Sequence, residues 1–93
     1  MINLQDVLEA SQTIEGHIHR TPVIDSKYFS ERIGAKVLLK LESFQKTGSF
    51  KVRGALNKVH SLSPSEKKHG VISLSAGNHA QSLAYAASLS GIA

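Results

Sequence analysis

Thr47-Gly48-Ser49-Phe50-Lys51-Val52-Arg53-Gly54 decides how this chain is read. A short Gly-Ser turn delivers a lysine to the first turn of a helix predicted to start near Ser49 and to run to about His60. Val52, Ala55, Leu56 and Val59 recur at helical spacing and form its core stripe. Lys51 falls at the margin of that stripe, where its side chain can leave the helix end. Desolvation and the positive end of the helix dipole both favour a neutral amine at such a place. A neutral amine can attack a carbonyl and form a Schiff base. Phe50 supplies an apolar wall for a flat ring beside that amine. The run is not a Walker A loop, because Phe50 stands before the lysine and Val52 after it.

Outward from this turn, strands and helices alternate. Upstream, Val37–Leu41 reads as a mostly buried strand, and Phe44–Gly48 as the loop into the turn. Downstream, Ser63-Pro64-Ser65-Glu66 is a capping box with proline at the first helical position; it opens a short basic helix that ends at Gly70. Val71–Leu74 reads as a second buried strand. Ser75-Ala76-Gly77-Asn78-His79 is a second glycine turn. It leads into a helix over His79–Ser90, with Leu83, Ala84 and Ala87 inward and Gly91 as the stop. Ile92-Ala93 is in place to begin another strand. A strand-turn-helix junction aims backbone N–H groups and the helix dipole at one point, which attracts a carboxylate or phosphate. It can equally be an ordinary turn with Asn78 as the helix N-cap. It is too sparse in glycine for a dinucleotide fingerprint. The two turns together point to chemistry on an amino acid held by an aldehyde cofactor.

Nearer the N-terminus, Asn3 is in place to cap a helix with Leu4, Val7, Leu8 and Ile14 on one side, ending near Gly16. Pro22 pushes Thr21 out of the helical region, so Thr21–Ile24 is extended. Asp25 or Ser26 caps a short helix carrying Tyr28, Phe29 and Ile33, and Gly34 stops it. The alternation is that of an α/β protein with a parallel sheet. Two clear strands and one short extended segment are too few for an open sheet with covered faces. The expectation is therefore the N-terminal part of a larger α/β protein.

Composition narrows the function classes. With 41% hydrophobic and 19% charged residues among 93, the chain is expected to be ordered. It has no cysteine, which excludes disulfides and thiolate metal sites and fits a reducing compartment. No apolar run is long enough to span a bilayer, and Met1–Asp6 lacks the basic and apolar regions of a signal peptide, so a soluble, cytoplasmic protein with no membrane partner is expected. The five histidines show no ligand spacing, and no metal site is predicted. Bases and acids balance over residues 1–46. The formal charge of +4 arises over 47–93, where Lys51, Arg53, Lys58, Lys67 and Lys68 face Glu66 alone. Such a half suits an anionic ligand such as a phosphate ester or a carboxylate, or is a solvated face. No aromatic residue interleaves these bases, so nucleic acid is not an expected partner.

Ser43-Phe44-Gln45-Lys46-Thr47-Gly48-Ser49-Phe50-Lys51-Val52-Arg53-Gly54-Ala55 resembles the cofactor-lysine motif of the pyridoxal-phosphate threonine/serine dehydratase and serine racemase family, which are fold-type II enzymes. Ser75-Ala76-Gly77-Asn78-His79-Ala80-Gln81 resembles the same family's substrate-carboxylate loop, and Arg20-Thr21-Pro22 agrees as well. The resemblance covers essentially the whole chain, which holds about the first third of such an enzyme. It implies a parallel sheet with flanking helices, incomplete here. Residues 1–62 would be the N-terminal part of the large cofactor domain and residues 63–93 the start of the small substrate-binding domain. Pyridoxal 5′-phosphate is the implied cofactor. Lys51 would hold it as a Schiff base, Phe50 would pack on its ring, and Asn78 would hydrogen-bond the ring's 3′-oxygen. Ser75, Asn78 and His79 would hold the substrate carboxylate, mainly through backbone N–H groups.

The implied activity is dehydration and deamination of L-threonine, and of L-serine, to a 2-oxo acid and ammonia. The full-length enzyme would act as a homo-oligomer on a small-molecule amino acid. Serine racemase is the alternative within the family; a non-catalytic fragment or interaction module is the alternative outside it. Racemases of this kind usually carry a second serine just before the glycine of the turn, where this chain has Ala76. A methyl group cannot shuttle a proton, which favours dehydration. The family's glycine-rich phosphate loop, the Ser or Thr facing the ring nitrogen and the acidic cation ligands are not among these residues. The 93-residue chain by itself is therefore expected to bind cofactor poorly and to have no substantial turnover.

Overall fold

The computed structural model describes residues 1–93. Its elements in order are α1 (Leu4–Ile14), β1 (Val23–Asp25), α2 (Lys27–Ile33), β2 (Leu38–Lys40), a one-turn 3₁₀ helix (Glu42–Phe44), α3 (Lys51–Ser61), α4 (Pro64–Lys68) and α5 (Asn78–Leu89). Local chemistry sets the starts. Asn3 accepts from the Asp6 amide while the Asp6 carboxylate accepts from the Asn3 amide, a reciprocal box that opens α1. Ser63 and Glu66 do the same for α4. Ser26, not Asp25, caps α2. Gly34 ends α2 in the left-handed region at φ 66°, a conformation a side chain would strain.

The core lies between α3, α5 and α1. Val52, Ala55, Leu56 and Val59 of α3 are all buried, as their spacing predicts, and pack with Ile14 and Ala86. Burial of Val52 and Val59 contributes about 1.5–2 kcal/mol each. The most extensive packing is of α3 on α5, and small buried side chains permit it: Ala55 on one helix, and Ser82, Ala86 and Ala87 on the other. On α5 this is only partly the predicted face. Ala87 is buried as expected, but Ala84 is exposed and Leu83 half-buried, while Ser82 and Ala86 take the centre. Close approach of two helices selects for small size, so a serine with satisfied hydrogen bonds outranks a larger apolar residue there.

The strands depart further from expectation. β1 and β2 pair antiparallel, with Val23 opposite Lys40, Ile24 opposite Leu39 and Asp25 opposite Leu38. No parallel pair forms within these residues. The cause is the short α2. Its seven residues and the Gly34 turn bring the chain back to where it left, so that the Ser26 amide donates to the Val37 carbonyl at 3.0 Å and closes a wide hairpin. Nor are the strands buried: Leu38 is exposed, and so are Ile72 and Leu74 in the segment predicted as a second buried strand. That segment has no neighbour to form a ladder with. Its one backbone bond of this kind runs from the Val71 amide to the Ala93 carbonyl, at 2.9 Å, and neither segment forms a strand. A Cα radius of gyration of 16.0 Å, against about 12 Å for a compact domain of this length, expresses the same openness.

Candidate active site

The turn at Thr47–Ser49 is built around Gly48, whose φ of 72° suits glycine. The Gly48 amide donates to the Gln45 carbonyl at 2.9 Å, and the turn feeds directly into α3. Phe50 takes the N-cap position and Lys51 is the first helical residue, so the helix starts later than the predicted Ser49. Lys51 is exposed and its ammonium makes no ion pair. Phe50 is 64% exposed, its ring free to cover a flat partner.

The second turn leads into α5 one residue earlier than predicted. Gly77 is the N-cap and Asn78 the first helical residue, so Asn78 is not the cap; its side chain is exposed. The amides of Asn78, His79 and Ala80 lie in the first turn and have no intrahelical acceptor. The Ser75 hydroxyl accepts from the Gly77 amide at 3.2 Å and holds the turn closed.

Packing of α3 against α5 makes the two turns meet. Phe50, Lys51, Arg53, Gly54, Ala55 and His79 line one cleft of about 400 Å³. Ser75 and Asn78 stand in the adjoining turn and do not line it. Gly54 is among the lining residues, and a Cβ added there would meet nothing within 4 Å, so the space beside it is open.

Beneath the lysine turn lies a polar cluster that motif reading overlooks. Glu42 accepts from Thr21 Oγ1 at 3.0 Å, from Gln45 Nε2 at 3.2 Å and from Arg53 Nε. Arg53 therefore reaches the cleft as a cation already paired, and Lys51 as one that is not. Burial by itself would raise the Glu42 pKa, but the hydrogen bonds from Arg53, Gln45 and Thr21 and the Arg53 charge outweigh it, and the carboxyl titrates below its ordinary range. A depressed pKa adds stability that is complete above the unfolded value of 4.5 and is lost as pH falls through the folded one. Unfolding midpoints measured against pH are expected to show this loss, and Glu42→Gln to remove that component. An unchanged acid limb in the variant would exclude Glu42 as its source. Ser82 and Gln45 were missed too. The signal for Ser82 was a lone polar residue in the small-residue face of α5; Gln45 had none.

The model of the family described as "Pyridoxal-phosphate dependent enzyme" matches residues 14–93. The chain belongs to this family. L-threonine ammonia-lyase of Thermotoga maritima is 51% identical over 99% of the chain and 23% of its own length. The crystal structure of a T.th. threonine deaminase superposes with a TM-score of 0.82 at 44% identity, over 98% of this chain and 32% of that one. Serine racemase from Dictyostelium discoideum superposes with a TM-score of 0.88 at 43% identity, over 98% and 30%. The chain thus spans less than a third of the length of these relatives, and its fold is that part of a fold-type II enzyme.

The cleft fits the family's cofactor at its aldehyde end. It offers a lysine without an ion-pair partner, a bare aromatic face and open space beside Gly54. Ser49 Oγ, two residues before the lysine, is buried without a hydrogen-bond partner, although Ser49 does not itself line the cleft.

Proposed function

We propose that this chain is the N-terminal portion of an enzyme that converts L-threonine, and L-serine, to a 2-oxo acid and ammonia. The meeting of Lys51, Phe50 and His79 on one cleft at the start of α5 carries this reading. Lys51 would hold the cofactor aldehyde, and its free amine would take the substrate α-proton on Nζ. Phe50 would pack on the ring and keep water from that face. The Asn78 side chain, in the adjoining turn, would donate to the ring oxygen. The amides of Asn78 and His79, with the Ser75 turn, hold the substrate carboxylate and so orient the α-C–H bond toward Lys51. Bound pyridoxal phosphate supplies the sink for the electron pair left on the α-carbon. The α-carbon electron pair then expels the β-hydroxyl as water, and hydrolysis of the C=N bond of the resulting imine gives 2-oxobutanoate and ammonia from threonine.

We further assign residues 1–62 to the cofactor domain and 63–93 to the start of the substrate domain. We take the whole protein to be a cytoplasmic homo-oligomer without nucleic-acid or membrane partners. No helix is long and apolar enough to cross a membrane. Exposed Leu4, Val7 and Leu8 on α1, with Ile72 and Leu74, give the chain apolar surface to bury against further structure.

The likeness to serine racemase supports racemisation as the second reading. Ala76 bears on the choice: it is exposed in the turn and has no proton to give. The test is product analysis of the complete enzyme with L-threonine and L-serine. Ammonia and 2-oxo acid in equal amounts are expected, with little D-serine. Ala76→Ser is expected to raise racemisation relative to dehydration by roughly tenfold or more. D-serine as the main product of the unaltered enzyme would select the second reading, and neither product would refute both.

A further inference from the structure

The Thr47 hydroxyl lies 3.0 Å from Ser82 Oγ, and Ser82 Oγ lies 2.7 Å from the Asn78 carbonyl oxygen. A hydroxyl has one proton to give, and a carbonyl can only accept. Ser82 therefore donates to Asn78, and Thr47 donates to Ser82. Ser82 is 0% exposed, so water cannot replace either partner. The Asn78 carbonyl belongs to the same peptide group as the His79 amide. A hydrogen bond accepted at the carbonyl polarises that group and strengthens its N–H as a donor. The chain of donors thus runs from the lysine turn, through the α3–α5 interface, and ends on the His79 amide at the first turn of α5.

Helix stability does not account for Ser82. A serine bonded back to the carbonyl four residues earlier is neutral or slightly unfavourable for a helix, and alanine would fill the small-residue face as well. What serine adds is a second acceptor site, and Thr47 occupies it across 35 residues of sequence.

We propose that Thr47 and Ser82 are positioning residues that tune the His79 amide for the substrate carboxylate and fix its place relative to Lys51. This rests on the assignment of that amide to the carboxylate under Proposed function. Thr47 acts only through Ser82, which gives the proposal its signature.

The test is a cycle of Thr47→Val, Ser82→Ala and the double variant in the complete enzyme, with Thr47→Ser as the conservative control. Three quantities are read: KM and kcat for L-threonine, the Kd of propionate on cofactor-free protein, and the amide proton shift of His79 in the same cofactor-free protein. Each single variant is expected to raise KM and Kd by roughly fivefold, the worth of one hydrogen bond, with kcat changed less than about twofold. The His79 amide proton is expected to move upfield. Thr47→Ser is expected to match the unaltered enzyme. In the Ser82→Ala background, Thr47→Val is expected to change none of the three. Equal effects of Thr47→Val in both backgrounds would overturn the proposal, as would a fall in melting temperature with KM, Kd and the His79 shift unmoved. Should Ser82→Ala not fold, Thr47→Val and its rescue by Thr47→Ser decide alone. Failure of the unaltered protein to bind propionate would refute the carboxylate assignment as well, whereas binding that the variants leave intact refutes the relay only.

Discussion

Lys51→Ala is expected to abolish the visible absorbance of the cofactor in the complete enzyme and to lower kcat/KM for L-threonine by on the order of 10³-fold, about 4 kcal/mol. Under the proposed function two roles fall to one amine, holding the cofactor and taking the α-proton, and both would be lost together. Borohydride reduction followed by peptide mapping is expected to label Lys51 and no other residue. Lys58 is the informative control. It stands two helical turns further along α3 and lines the groove that continues the cleft past Gly54. Both lysines are exposed. His79 lines both spaces, and what separates the two lysines is Phe50 beside the first, against Leu62 and Val71 beside the second. Lys58→Ala is accordingly expected to keep the absorbance and most of the activity. A label on Lys58, or on neither lysine, would remove the basis of the proposed function.

The same contrast explains what could be read from the sequence and what could not. Caps act within four residues, so Asn3 and Ser63 were legible, and Ser26 was legible as one of two candidates with Asp25; all three make their bonds, whereas Asn78 gave way to Gly77. The α3 stripe was legible because bulky apolar residues at helical spacing have one way to be buried. Strand burial was not. An apolar run such as Val37–Leu41 or Val71–Leu74 states what the segment prefers, whereas its exposure depends on surfaces from elsewhere in the fold. Strand direction was illegible for a related reason: whether α2 carried the chain across the sheet or back to its start hung on a helix of seven residues and one left-handed glycine. The candidate site divides along the same line. Lys51 and the Ser75–His79 turn announced themselves by local pattern. Their convergence, and the hydroxyls and carboxylate that brace them, follow from the packing of α3 on α5 and from bonds between residues up to 35 apart in sequence.

Gln45→Leu is expected to destabilise the protein by about 2–3 kcal/mol, although the two side chains differ little in size. Gln45 is 5% exposed and its amide is fully used. Oε1 accepts from the His19 amide at 2.8 Å and the Lys46 amide at 3.0 Å, while Nε2 donates to the His19 carbonyl at 2.8 Å and to Glu42 at 3.2 Å. It clamps the segment between α1 and β1 to the loop that leads into Gly48. Leucine would leave part-buried backbone groups of His19 without partners and take a donor from Glu42, and the cost lies in those abandoned groups rather than in the lost side chain. Gln45→Glu separates this account from simple packing. It keeps the acceptor but sets a second carboxylate against Glu42, which raises a folded-state pKa. A raised carboxyl pKa is a penalty that is complete at high pH and is relieved as pH falls through the raised value. Denaturant unfolding at several pH values is therefore expected to show the Gln45→Glu deficit shrinking on mild acidification, in the range where the unaltered protein has not yet begun to lose the Glu42 contribution. A deficit that stays constant with pH would mean that Gln45 matters through its shape and not through the charges and amides it joins.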